Sequence, residues 1–158
     1  MNKQAMLAEV GEMKKYFDRS TKVLVEADST FAPKEGMFTV SQVAAHVAQT
    51  VDWFFKGAYA AGGFDLDFER LNKDVLATHS LTAARDWMNR ACADAIKAIE
   101  SHTDAQWAEP LPQGPVMGGL PRYAIFSALI DHTAHHRGAL TVYSRLLGKV
   151  PAMPYADM

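Results

Sequence analysis

The sequence predicts an all-α protein, a four-helix bundle with long connections. Three observations carry this. Four stretches repeat apolar residues at helical spacing over many turns. No stretch alternates apolar and polar residues as a half-buried strand would. The segments between the four are long and carry prolines and glycines. The chain has 158 residues, 49% of them apolar, which suits one domain spanning residues 1–158.

The first helix is expected from Lys3 to Ala27, where Met6, Val10, Met13, Phe17 and Leu24 recur among charges. Gly11 weakens it slightly. Asp28 to Phe38 contains Pro33 and Gly36 and reads as a connection. Thr39-Val40-Ser41-Gln42 matches a capping box, so a second helix starts there and runs to Ala58. Its apolar face is Val40, Ala44, Val47, Val51 and Phe55. Gln42, Gln49, Thr50 and Trp53 lie within about 60° of His46 on the helical wheel. That mixed face reads either as a solvent face or as the lining of a polar pocket inside the bundle.

Tyr59 to Asp65 includes Gly62-Gly63 and reads as a loop, and Asp67 to Ala77 as a short helix. Ser80 fits the N-cap of a third long helix, Leu81 to Ser101. Its stripe of Leu81, Ala84, Trp87, Met88, Ala91, Ala95 and Ile99 is rich in alanine, which predicts close approach of a neighbouring helix. Thr103 to Leu120 holds Pro110, Pro112, Pro115, Gly114, Gly118 and Gly119, and reads as the longest irregular stretch. The fourth long helix is expected from Tyr123 to Leu147, with Pro121 at its first position and Gly148 at its stop. The tail, Val150 to Met158, is expected to be extended.

That last helix carries Asp131-His132-Thr133-Ala134-His135-His136-Arg137. Taking His132 as zero, Ile125, Ala128, Leu129, His136, Ala139, Leu140, Tyr143, Leu146 and Leu147 fall within roughly 80° of it. Two histidines one turn apart therefore sit in the stripe that should face the core. A buried imidazole nitrogen left unpaired costs on the order of 1–3 kcal/mol. Side chains at i and i+4 can turn to one point, and a shared metal ion is the commonest reason for such a pair. Alone, the spacing also occurs in exposed or structurally paired histidines. It is not the zincin pattern, because Thr133 follows His132 and no Glu follows as general base. Phe126, Ile130, Thr133, Arg137 and Thr141 form a second face of this helix, expected against another helix or a second subunit.

Composition narrows the function. Net charge is −2 with both signs spread along the chain, which gives no basic patch for nucleic acid. No run approaches the ~20 apolar residues of a membrane span. The charged N-terminus lacks the apolar block of a signal peptide, so a cytoplasmic location is expected. A single cysteine, Cys92, excludes an internal disulfide framework. Six histidines against one cysteine favour nitrogen ligands for any metal.

Thr39-Val40-Ser41-Gln42-Val43-Ala44-Ala45-His46-Val47 is followed, about 85 residues later, by His132-Thr133-Ala134-His135-His136-Arg137-Gly138-Ala139-Leu140, then by Tyr143-Ser144-Arg145-Leu146-Leu147-Gly148 and a proline. In these motifs the chain resembles the DinB/YfiT-like superfamily of metal-dependent enzymes over nearly its whole length. The resemblance implies a four-helix bundle, usually dimeric, with one divalent metal held by three histidines. Carried over position by position, the ligands are His46, His132 and His136, while His135 stands beside them without binding. The wheel agrees: His136 points about 40° from His132 and His135 about 60°. His79 and His102 lie at helix ends and are not expected to bind. The family often has Arg-Gly-Gln after the last ligand, whereas here Ala139 follows Arg137-Gly138.

Three imidazoles with an open position describe a catalytic site, and Zn, Ni or Fe would each suit it. The expected chemistry is transfer of a low-molecular-weight thiol to an electrophile, or hydrolysis of a small substrate. Some members of the resembled family are thiol-dependent transferases or isomerases. Tyr143, on the histidine stripe, and Gln49, on the His46 face, are the candidate catalytic polar groups, although a core tyrosine bonded elsewhere fits the pattern equally. Asp131 and Arg137 flank the ligands as supporting groups or surface charges. The alternative reading is a non-catalytic metal-binding protein of stress response or interaction. The expected assembly is a homodimer.

Overall fold

In the computed structural model, residues 1–156 are described. They form six α-helices and no strand: α1 (Lys3–Thr21), α2 (Val40–Tyr59), α3 (Phe68–Leu76), α4 (Leu81–Ser101), α5 (Asp104–Ala108) and α6 (Ile125–Leu146). Asp157 and Met158, the end of the expected extended tail, lie outside the described residues. The four long helices are α1, α2, α4 and α6. Among them α2 packs most extensively on α4; α1 packs on α6, and α2–α6 and α1–α4 contacts close the ring. Their buried faces form one hydrophobic core. The expected stripes supply it: Met6, Val10, Met13 and Phe17 from α1, Val40, Ala44, Val47, Val51 and Phe55 from α2, and Leu81, Ala84, Met88, Ala91, Ala95 and Ile99 from α4. The small side chains Ala44, Ala48, Ala84, Ala91 and Ala95 populate the most extensive pair, as the alanine-rich stripe predicts. No helix among the described residues is long and apolar enough to cross a membrane.

The N-terminal end of α2 is tied down firmly. Thr39 and Gln42 form the capping box: the Gln42 backbone N–H donates to Thr39 Oγ1 and the Thr39 N–H donates to Gln42 Oε1. Gln42 Nε2 then donates to the Leu76 carbonyl and so anchors the end of α3. The buried Ser41 hydroxyl lies within hydrogen-bond reach of two carbonyls, Ser29 at 3.0 Å and Thr78 at 2.9 Å. Ser29 Oγ accepts the N–H of Leu81, the first residue of α4. One knot of hydroxyls therefore fixes the starts of α2 and α4 and the end of α3.

Three boundaries differ from the sequence expectation. The first helix ends at Thr21, not Ala27, because the Arg85 guanidinium donates to the Thr21 carbonyl at 2.8 Å and caps it from α4. Leu24 stays buried, but in the connection, where Glu26–Asp28 form a short 3-10 turn. Within the stretch read as irregular, Thr103 and Gln106 form a second capping box and start α5, which buries Trp107. Pro121 has extended backbone and precedes a 3-10 turn at Arg122–Ala124, so α6 begins at Ile125.

The face of α6 around Phe126 takes the first of its two expected partners, other helices of the same chain. Phe126 and Thr133 are buried within the chain: Phe126 packs edge-on to Phe55 and Trp107, and Thr133 Oγ1 lies 3.4 Å from Met13 sulfur on α1. Phe126 and Thr133 therefore belong to the chain's own core, while Ile130, Arg137 and Thr141 on the same face are only partly buried. α6 buries two neighbouring faces because it packs on both α1 and α2. Leu146, expected in the stripe, is 59% exposed in its last turn.

Candidate metal centre

α2 and α6 bring His46, His132 and His136 together. Each ring offers one nitrogen, and the three nitrogens lie within 4.8 Å of one another. His132 Nε2 stands 3.1 Å from His46 Nε2 and 3.5 Å from Thr50 Oγ1. The Thr50 hydroxyl itself donates to the His46 carbonyl one turn back, at 2.9 Å. Ring centroids are 4.4 Å apart for His132–His136 and 4.7 Å for His46–His136. The Phe38 ring packs against His46 at 5.7 Å. All three histidines are half-buried.

The donor set fits a divalent metal. Two imidazole nitrogens at tetrahedral angles and ~2.05 Å from one ion would stand about 3.3 Å apart, against the 3.1 Å between His132 and His46. Charge state fits as well. Burial disfavours the protonated form of each ring; His136, His46 and His135 add to this at His132, and His46 and His135 at His136. His132 is pushed down to about 3 and His136 to about 4, and His46 is lowered by burial. The rings are therefore neutral at pH 7, the state in which imidazole binds metal. One support is missing: His132 Nδ1 is buried with no hydrogen-bond partner among the described residues. Histidine ligands commonly donate that N–H to a carboxylate or carbonyl.

A cavity of about 530 Å³ opens beside the cluster. His46, His132, Gln49, Thr50 and Trp53 line it, so the His46 face does line a pocket. The pocket is mostly apolar, however, because Phe38, Phe54, Phe68, Leu71 and Ala128 complete it. Gln42 of the expected polar face is instead spent on the capping box and on Leu76. The sequence does not flag Phe38, Phe68, Leu71 and Asn72 as wall residues. They sit in the first connection and on α3, and only tertiary placement brings them there.

The remaining candidates stand apart. The buried Tyr143 hydroxyl donates to the Phe38 carbonyl at 3.2 Å and so braces a cavity wall from behind. His135 is exposed, its ring edge-on to His136. His79 is exposed, and His102 stacks on Tyr59 with Nδ1 2.8 Å from the Ala98 carbonyl. Arg137 turns to the tail, where it donates to Tyr155 Oη and lies over the Tyr16 ring. Asp131 is exposed. Burial pushes the Cys92 thiol up to about 12, so it is no nucleophile at neutral pH.

An all-helical bundle with three neutral histidines converging beside a cavity defines a class of protein able to bind a divalent metal. The DinB superfamily model matches residues 12–140. The chain belongs to that superfamily. A crystal structure of a DinB-like protein from Bacillus cereus is similar at TM-score 0.69 and 21% identity, covering 92% of this chain and 91% of that one. A protein from Streptococcus pneumoniae is similar at TM-score 0.70 and 13% identity, covering 93% and 92%. At these identities both likenesses speak to the fold. No curated protein matches the chain significantly.

Proposed function

We propose that this chain is a cytoplasmic metal-dependent enzyme in which His46, His132 and His136 hold one divalent ion. Its reaction is transfer of a low-molecular-weight thiol to an electrophile, or hydrolysis of a small substrate. The observation that carries this is the convergence of three neutral imidazoles at the edge of a 530 Å³ cavity. Zn, Ni and Fe all accept such a donor set. When bound, the ion supplies Lewis acidity and lowers the pKa of a coordinated water or thiol. The chain's own residues do the rest. The rings stay unprotonated because burial disfavours their charged form. Phe54, Trp53 and Phe68 keep water from the body of a bound substrate. The Gln49 amide, which also lines the cavity, orients a carbonyl or hydroxyl. A homodimer remains part of the proposal on family resemblance, since Phe126 and Thr133 are spent on the chain's own core.

One observation favours the alternative, a metal-binding protein of stress response or interaction without catalysis. No Asp or Glu among the described residues lines the cavity as a general base, and the Tyr143 hydroxyl is committed to Phe38. The deciding experiment adds cellular thiols and an aryl halide or ester to metal-loaded protein. Turnover that vanishes in stripped protein and in His132→Ala supports the enzyme. Stoichiometric metal with no turnover across the panel supports the alternative.

A further inference from the structure

We propose that the cavity beside the three histidines binds a neutral, largely apolar small molecule, its body against Phe54, Phe68 and Leu71 and its polar handle at Gln49 or Asn72. This rests on the reading of that cavity as the substrate site, and it names the class of substrate.

The cavity measures about 530 Å³, inside the ~300–1,000 Å³ range of small-molecule sites. Among the described residues, no Asp, Glu, Lys or Arg lines it. The nearby charges face elsewhere. Asp52, Lys56 and Arg70 line a second cavity of about 260 Å³, which shares Gln49, Trp53 and Leu71 with the first. There the charges are largely matched with one another. Lys56 lies 3.7 Å from Asp52, Arg70 pairs with Asp65 and Asp67, and the Trp87 indole N–H donates to Asp52 at 2.8 Å. A charged group entering the body of this first cavity, away from the histidine end, would lose water and meet no counter-charge from the lining side chains; only the proposed ion, at the His46–His132 end, would add charge. The amides of Gln49 and Asn72 both donate and accept, which suits a carbonyl, amide or hydroxyl.

Phe68 adds a second, independent mark. It is the first residue of α3 and lines the cavity, yet it is 59% exposed, with its ring 6.1 Å from Trp53. Unlike the other exposed apolar side chains, it stands at the edge of this cavity, where a bound molecule would cover part of its ring. α3, which packs on α2, presents Leu71 and Asn72 to the cavity beside Phe68.

The test is a fluorescence titration of the full chain, metal-loaded and metal-stripped, with two probes of one ring system. N-phenylnaphthylamine is neutral; anilinonaphthalene sulfonate adds a fixed negative charge. In the metal-stripped protein, where only the uncharged walls act, the neutral probe is expected to bind more tightly, by about tenfold or more; the loaded protein shows how far the ion offsets this. Phe68→Ser should weaken neutral-probe binding about fivefold, with little effect on folding because the ring is exposed. Ala128→Leu fills the cavity from α6, one turn from His132 and with all three histidines kept, and should weaken it about tenfold. Equal or tighter binding of the sulfonate by the stripped protein overturns the proposal, as does neutral-probe binding that neither variant changes. A protein that takes up no metal but binds the neutral probe in this pattern removes the metal reading and leaves this one standing. Metal at full stoichiometry with no probe binding does the reverse.

Discussion

Gly57 sits on the buried face of α2, where the loop that leads into α3 returns over the helix. A Cβ there would stand 2.2, 2.7 and 2.9 Å from three atoms of the Phe64 ring. To reach ordinary contact the ring must retreat by about 1.2 Å. It cannot do so alone, since it packs on Trp53 at 4.7 Å and on Phe54 at 5.9 Å, and both line the cavity. Overpacking of this kind costs about 1–3 kcal/mol, against a gain of about 1 kcal/mol for Ala over Gly in a helix. Gly57→Ala should therefore destabilise the protein by about 1 kcal/mol, a fall in Tm of about 2–4 °C for a chain of this size. In a Phe64→Ala background the clash is gone and the helix gain remains. There the same substitution should raise Tm by about 2–4 °C, a coupling near 2 kcal/mol between the two sites. Urea and thermal melts followed by circular dichroism read all four proteins. A change of the same sign and size in both backgrounds would refute the reasoning, and with it the claim that Phe64 is wedged against α2.

Three further predictions follow from the site and its surroundings. Free rings held at about 3 for His132 and about 4 for His136 have folded values below the unfolded value near 6.5, so burying them stabilises the fold fully above about pH 6.5. That stability is lost as pH falls from there, toward about 4 for His136 and about 3 for His132. Metal at a hundredfold excess over Kd should add about 2.7 kcal/mol at pH 7.5, with the Tm gap persisting below pH 6.5 and closing toward pH 4. An equal metal-induced rise in His132→Ala would place the ion elsewhere. Tyr143→Phe removes the donor to the Phe38 carbonyl and should cost about 1 kcal/mol in a urea melt while leaving metal content unchanged; lost metal would give the hydroxyl a direct role at the site. Cys92 is 2% exposed with its thiol pushed up to about 12, so iodoacetamide at pH 8 should leave it unmodified in folded protein, as read by mass spectrometry, and alkylate it in urea.

Much of the molecule was legible in local pattern. The apolar stripes of the four long helices mark the core because a helix must bury one face. The Thr39–Gln42 box sets the start of α2 because its bonds are made within four residues. The same box at Thr103–Gln106 starts α5, but the prolines and glycines just beyond it suggested an irregular stretch. The end of α1 was not legible, since a guanidinium 64 residues away caps it. Nor was the true use of the Phe126 face, whose apolar side chains serve an intramolecular core as well as they would a subunit interface. At the site, the i, i+4 spacing places His132 and His136 on one side of α6, and family resemblance points to His46. The apolar walls depend on where α3 lies, and no short-range signal carries that. Tyr143 has the right angular position on the helix, but the Phe38 carbonyl takes its hydroxyl.

The account rests on three particular rings, and elemental analysis of purified protein tests it most directly. Wild type and His135→Ala, loaded and then dialysed, should each hold about one divalent ion per chain, while His46→Ala, His132→Ala and His136→Ala should each hold markedly less. Full occupancy in His136→Ala with His135→Ala emptied, or no metal retained by wild type, would contradict it.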